Sequence, residues 1–245
     1  MNSTEPMTAA ATRTPRLTSD PVAPEQLHKD IKQLFDKLAV GGFAIAPLDV
    51  AYAVVATTPA GIRSIFETKH RSYEKPSGMF GNWRLSREIH VMDDDRHRMV
   101  REIIEQEGVP FSVVAPFRRI HSIFAAVDPF VMKNSSRGGT LDMLLNAGQF
   151  HDAIAEGAIA RGTAVFGSSA NLSLSGSKYR YEDIEAPIRH AAAIYFDYGR
   201  SKYAHHDGLS STIIDFADFR VIRVGHCFDR LAHAFAARFG VTLRA

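Results

Sequence analysis

The sequence has one cysteine, almost no net charge and no long apolar run. Cys227 is alone, so no internal disulfide can form and the fold does not depend on an oxidising compartment. Its neighbours make no nucleophile signature, and a bystander thiol is the expectation. No run of about 18 apolar residues occurs, so no membrane span is expected. The 29 Lys and Arg against 27 Asp and Glu leave a formal charge of +2, well short of a domain drawn onto nucleic acid by bulk electrostatics. There is no Walker A sequence, no Gly-x-Gly-x-x-Gly and no internal repeat. The stretch 1–23 is rich in Thr, Ala and Pro and lacks the apolar segment of a secretory signal. It reads as a disordered tail, with a cytoplasmic location as the default.

The rest can build a core. Of 245 residues, 45% are hydrophobic and 23% charged, the balance of an ordinary globular domain. Pro24, Glu25 and Gln26 form a helix first turn, and Leu27, Ile31, Leu34, Phe35 and Leu38 follow at helical spacing until Gly41. Phe43–Leu48 and Ala51–Ala56 read as buried strands. Thr58-Pro59 is an N-cap and N1 pair for a helix ending near Lys69. Asp93, Asp94 and Asp95 open another helix, suited to its dipole rather than to a metal. Phe111–Ala115 and Ile120–Ala126 read as strands, and Asp128–Thr140 as loop. A helical face at Phe150, Ile154 and Ala158 precedes a strand at Thr163–Phe166. Strands at Ala192–Phe196, Thr212–Phe216 and Phe219–Val224 and a closing helix through Leu231, Phe235 and Phe239 complete the pattern. Strands and helices mix without a regular period, which predicts an α/β or α+β domain over residues 24–245 around one mixed sheet.

Three segments carry chemistry. Lys69, Arg71 and Lys75 fall within seven residues just past a helix end. Cations there compensate the helix dipole, and the same set can clamp a polyphosphate. Gly167-Ser168-Ser169-Ala170-Asn171 follows a buried strand directly. Such a run makes an ordinary turn, and its small hydroxyls and free N–H groups also let an anion approach closely. Ser211-Thr212 at a strand entry and Arg223-Val224-Gly225 at the next strand end form the third. His205-His206-Asp207 contains metal-ligand types, but adjacent histidines diverge on most backbones and no third ligand is suitably spaced.

In order and spacing these segments resemble the YrdC-like domain of threonylcarbamoyl-adenylate synthases. That family has a Pro-Thr-Asp/Glu-Thr-x-Tyr segment, then Lys-x-Arg and Lys-Pro, then Ser-Ala-Asn, Ser-Thr and Arg-x-Gly. The matching residues are Pro47 to Tyr52, Lys69, Arg71 and Lys75-Pro76, Ser169 to Asn171, Ser211-Thr212, and Arg223 to Gly225; Pro110-Phe111-Ser112 is similar to the family's Gly-Pro-x-Thr strand. The resemblance covers about residues 25–226. It implies a single domain with a twisted mixed sheet, flanking helices and a central ligand cleft. It also implies synthesis of threonylcarbamoyl-AMP from threonine, bicarbonate and ATP, with Mg2+ brought by the nucleotide. The product feeds modification of adenosine 37 in certain tRNAs, and tRNA or double-stranded RNA are the implied macromolecular partners. Lys69 and Arg71 would be catalytic. Lys69, Arg71, Lys75, Ser168, Ser169, Asn171, Ser211 and Arg223 would hold the nucleotide, and Asp49, Val50, Tyr52 and Ser168 the second substrate.

The sequence departs from the family where the second substrate would lie. Leu48 and Val50 replace two hydroxyl residues. Counting back from Ser169 places His151 on a family histidine and Ala147 on a family arginine, with Arg118, Arg119, Lys133 and Arg137 as candidate replacements. A related carbamoyl- or adenylate-handling enzyme with another acceptor, or a non-catalytic RNA-binding module, are therefore the alternatives.

Overall fold

Pro24 at N1 starts the first helix, α1 (Pro24–Ala39), in the computed structural model, which describes residues 16–244. Its inner face carries Ile31, Leu34, Phe35 and Leu38, together with Asp30, whose carboxylate accepts from Tyr198 Oη at 2.8 Å. Gly41 (φ +93°) turns the chain into β1 (Ala44–Ala46), which pairs antiparallel with β2 (Ala53–Ala56). The expected strands at 43–48 and 51–56 are thus shortened, and Pro47–Tyr52 leaves the ladder between them. Thr58 caps α2 (Pro59–Thr68) by accepting from Gly61 N at 3.2 Å.

The next elements are β3 (Gly78–Phe80), α3 (Trp83–Ile89), α4 (Asp94–Glu102), which widens into a π turn at Ile103–Glu107, and β4 (Phe111–Pro116). Asp93 is the N-cap of α4, accepting from Arg96 N at 2.8 Å, as its position at a helix start predicts. Then come α5 (Pro129–Ser135), β5 (Thr140–Leu145), α6 (Gln149–Arg161), β6 (Phe166–Ser169), α7 (Ala186–Ala191), β7 (Ile194–Tyr195), β8 (Ile213–Asp215), β9 (Arg220–Arg223) and α8 (Phe228–Phe239). The nine strands form one mixed sheet ordered β7-β1-β2-β6-β3-β5-β4-β8-β9. Pairings β1·β7, β3·β5 and β4·β8 are parallel and the others antiparallel. Helices flank it, with α1 against α6 and α2 against β2.

Two expectations change. Ile120–Ala126 is not a strand: Ile120 is 97% exposed, and Ser122–Phe124 make one 3-10 turn capped by the His121 side chain. Phe124 packs edge-on against Phe117 across that turn, which an extended segment could not do. The segment 128–140 is not loop throughout. Asp128-Pro129 starts α5 with the same cap-and-proline device as Thr58-Pro59, and Asp128 accepts from Phe130 N at 2.7 Å. Tail residues 1–15 lie outside the described residues, but the end of the expected tail is packed. Thr18 is buried, Leu17 bridges to Arg200, and Gln149 Nε2 donates to Thr18 O and Asp20 O. No helix among the described residues is long and apolar enough to cross a membrane.

Candidate functional site

The cation segment is shaped by the end of α2. Lys69 caps the helix, His70 takes a left-handed turn (φ +50°), and Arg71 N donates back to Phe66 O at 2.8 Å. Lys69 is 1% exposed. Its Nζ donates to the carbonyls of Ser169 and Asn171, the latter at 2.5 Å, while its own carbonyl accepts from Ser173 N at 3.0 Å. The first two chemical segments are therefore tied together by one side chain. Burial, reinforced by nearby Arg71, pulls the Lys69 pKa down to about 7. Two of three Nζ donors are engaged, so Lys69 offers a ligand one donor rather than a free ammonium. Arg71 fastens the following turn, with Nε to Lys75 O at 3.0 Å and Nη2 to Pro76 O at 2.8 Å. Lys75 is exposed at the rim.

β6 runs beyond its expected end through Ser168 and Ser169, which pair with Val54 and Ala53 of β2. A Cβ on Gly167 would stand 2.2 Å from Val54 O, so glycine is required for this approach. Ser168 Oγ and Asn171 Oδ1 are buried without a hydrogen-bond partner. Across the cleft, Arg223 donates from Nε to Ser211 O and from Nη2 to Ser211 Oγ, each at 3.0 Å. Ser211 Oγ lies 3.3 Å from Ser112 Oγ. Arg223 is exposed along its length, yet protein around its charged end lowers its pKa, against the pull of Asp142.

These residues line two joined chambers. The inner one, about 140 Å³, is walled by Leu48, Val50, Tyr52, Leu144, Ser112 and Ser168. The outer one, about 860 Å³, has Lys69, Lys75, Arg137, Asn171 and Arg220 in its wall. Arg71, Asp142, Ser169 and Arg223 border both. Of the expected nucleotide residues, Lys69, Arg71, Lys75, Ser169, Asn171 and Arg223 meet in the outer chamber, and Ser168 and Ser211 lie in the inner one.

Asp49 is not in either chamber wall, contrary to its expected substrate role. Its Oδ1 accepts from Thr18 Oγ1 at 2.7 Å and Gly148 packs against the carboxyl, so the group is turned inward and burial raises its pKa. Val50 is in the inner wall. Tyr52 contributes its buried ring, but its hydroxyl points away and donates to Asp197 or Gly199 O at 2.7 and 2.8 Å. Ala147 and His151 are fully buried outside both chambers; His151 packs on Phe80 and follows Gly148 into α6. The family arginine is therefore not replaced at Ala147 in any sense the cavity registers. The β5 side chains turned to the cavity are Thr140, Asp142 and Leu144. Of the candidate replacements only Arg137 reaches a chamber, whereas Arg118 binds Glu88 O and His90 O. Arg119 and Lys133 line a separate hollow.

Asp142 was missed by sequence reasoning. The signal was present: Leu141, Met143 and Leu145 alternate as the buried side of β5, which puts Asp142 on the cavity side. Burial raises its carboxyl pKa, opposed by Arg223, by a hydrogen bond from the Ser112 hydroxyl and by Arg71. Cys227 is half-buried, with burial raising its thiol, as a bystander would be. His205, His206 and Asp207 bring ligand atoms within 4.8 Å of one another at the surface, away from both chambers.

No family model and no curated protein matches the sequence. Solved structures do. A double variant of P. abyssi Sua5 superposes with a TM-score of 0.69 at 14% identity, over 93% of this chain and 60% of that one. P. abyssi Sua5 complexed with L-threonine gives 0.64 at 15% identity, over 84% and 56%. E. coli YciO gives 0.61 at 14% identity, over 86% and 95%. The chain thus has the YrdC-like fold shared by Sua5 and YciO. It spans about three-fifths of the length of the Sua5 chains.

Proposed function

We propose that this chain is a threonylcarbamoyl-adenylate synthase-like enzyme, with ATP in the outer chamber and an amino-acid acceptor in the inner one. The observation that carries this reading is the pair of unequal chambers meeting at Arg71 and Arg223. The larger has room for a nucleotide, the smaller only for a compact molecule. P. abyssi Sua5, of the same fold, has been solved with L-threonine.

In this reading the acceptor's ammonium gives up a proton to solvent, its amine nitrogen attacks bicarbonate, and a carbamate forms with loss of water. A carbamate oxygen then bonds to the α-phosphorus as the α–β bridging P–O bond breaks, and pyrophosphate leaves with that electron pair. Negative charge grows where the chambers meet, and Arg71 and Arg223 are fixed there by bonds to Lys75, Pro76 and Ser211. Donors already held in place stabilise such charge without reorganising. Lys69 and the turn it ties at Ser169 and Asn171 would face the phosphates, and Lys75 the solvent side. Mg2+ would arrive on the nucleotide and neutralise phosphate charge.

Incubation with ATP, Mg2+, bicarbonate and threonine is expected to release pyrophosphate only when all are present. Absence of threonine-dependent release at high enzyme concentration would overturn the reading. Leu48, Val50 and Leu144 in the inner wall favour a second one, an acceptor other than threonine. In that case ATP raises the melting temperature and threonine adds nothing. The proposed tRNA or double-stranded RNA partner has only the rim cations, Lys75, Arg137 and Arg220, to support it, and its affinity would fall steeply with salt.

A further inference from the structure

The inner chamber holds an acid that the reaction scheme above leaves unused. Asp142 projects from β5 to the junction of the chambers. Its Oδ1 is buried and has no hydrogen-bond partner. Two guanidiniums face it, yet each is turned to other acceptors. Arg71 gives Nε and Nη2 to Lys75 O and Pro76 O, and Arg223 gives Nε and Nη2 to Ser211. Glycine at position 78 of β3 leaves room for the carboxyl, since a Cβ there would stand 3.1 Å from Asp142 Oδ2. Among the described residues neither guanidinium closes an ion pair with Asp142, and the Ser112 hydroxyl is the one side chain that hydrogen-bonds its carboxyl. A desolvated carboxylate oxygen without a donor is costly, and native proteins seldom keep one unless something binds there.

The charges in this place define what fits. Two arginines and one aspartate leave one net positive charge. A phosphate entering here would be attracted by the arginines and repelled by Asp142. A divalent cation would find a single carboxylate and two like charges. A zwitterion is matched at both ends, as donor-rich ammonium to the acid and planar carboxylate to the guanidiniums. Leu48, Val50 and Leu144 limit the remaining space to a small side chain.

We infer that Asp142 is the amine-recognising residue of the inner chamber, which takes a compact α-amino acid with its ammonium on Asp142 Oδ1 and its carboxylate against Arg71 and Arg223. This assignment rests on the acceptor role proposed for the chamber. It adds a binding contact that the resemblance does not supply, because Asp142 belongs to none of the matching segments.

The test compares ligands that differ only by the amine. Threonine is set against 3-hydroxybutanoate, and valine against 3-methylbutanoate, by calorimetry on the full chain with ATP measured separately. At least one amino acid is expected to bind at least roughly tenfold more tightly than its des-amino counterpart. Asp142→Asn is expected to remove that difference by weakening the amino acid, not the acid lacking the amine. Equal binding of the paired ligands, or an undiminished preference in Asp142→Asn, overturns the inference and leaves the acceptor reading standing. Binding of ATP with no binding of any of the four acids overturns the acceptor reading itself. If Asp142→Asn does not fold, the wild-type ligand pairs decide, with Asp142→Glu as the second variant.

Discussion

Lys69 shows how one residue joins the site together. Three cations past a helix end could have been a solvated face, and Lys75 is indeed exposed. Lys69 instead threads into the core and holds Ser169 and Asn171 by their carbonyls. With its pKa near 7, it is charged below neutrality and neutral above. The folded value lies below the ordinary 10.5, so its protonation opposes folding. That opposition is full below about pH 7 and is relieved as pH rises toward the unfolded value. Ligand binding runs the other way, since a phosphate is drawn to the charged form. Raising the pH from about 6 to about 8 is expected to weaken ATP binding roughly tenfold in wild type relative to Lys69→Arg, which stays charged. Parallel pH profiles of the two proteins would remove Lys69 from the phosphate site.

At the scale of elements, the close approach of β2, β6 and β3 sets the floor of the site. Gly167 sits between Val55 on one side and Gly78 on the other, and a Cβ would meet Val54 O at 2.2 Å and Phe80 at 3.0 Å. The first contact is backbone, which cannot rotate away. Gly167→Ala is expected to cost about 2 kcal/mol or more in urea unfolding and to weaken ATP binding by shifting Ser168 and Ser169. A change below about 0.5 kcal/mol would mean the strands can separate without penalty. The missed elements have the same lesson. β3 is three residues long, too short for an alternating pattern, and α5 is hidden by Asn134 and Ser135 at its own end and by the Ser and Gly residues that follow it. β5 is legible in the alternation of Leu141, Met143 and Leu145, with Asp142 on the opposite side of the strand.

For the molecule as a whole, the packed chain begins before the first helix. Thr18 N donates to Arg200 O at 2.9 Å, and Arg200 N to Arg16 O at 2.8 Å. Thr18 Oγ1 reaches Asp49, next to Val50 in the inner wall. The segment ahead of α1 thus braces the inner-chamber side of the cleft. Thr18→Val keeps the shape and removes the only side-chain donor that Asp49 has among the described residues. A loss of about 1–3 kcal/mol is expected by chemical denaturation, together with weaker binding of the inner-chamber ligand. Unchanged stability would show that the Thr18 hydroxyl contributes nothing to holding Asp49.

The sequence by itself determined the mixed α/β class, the buried faces of α1 and α6, the starts of α2 and α4, and the set of segments that meet at the cleft. These follow from local periodicity, capping and residue chemistry, all carried by neighbours in the chain. Only the tertiary structure decided which groups the ligand can reach. Asp49 and the Tyr52 hydroxyl are satisfied by Thr18, Asp197 and Gly199, partners between 31 and 147 residues away. Asp142 faces Arg71 and Arg223 only because β5 lies between β3 and β4 in the sheet. Whether a polar group is free or paired depends on long-range neighbours, and no local pattern contains them.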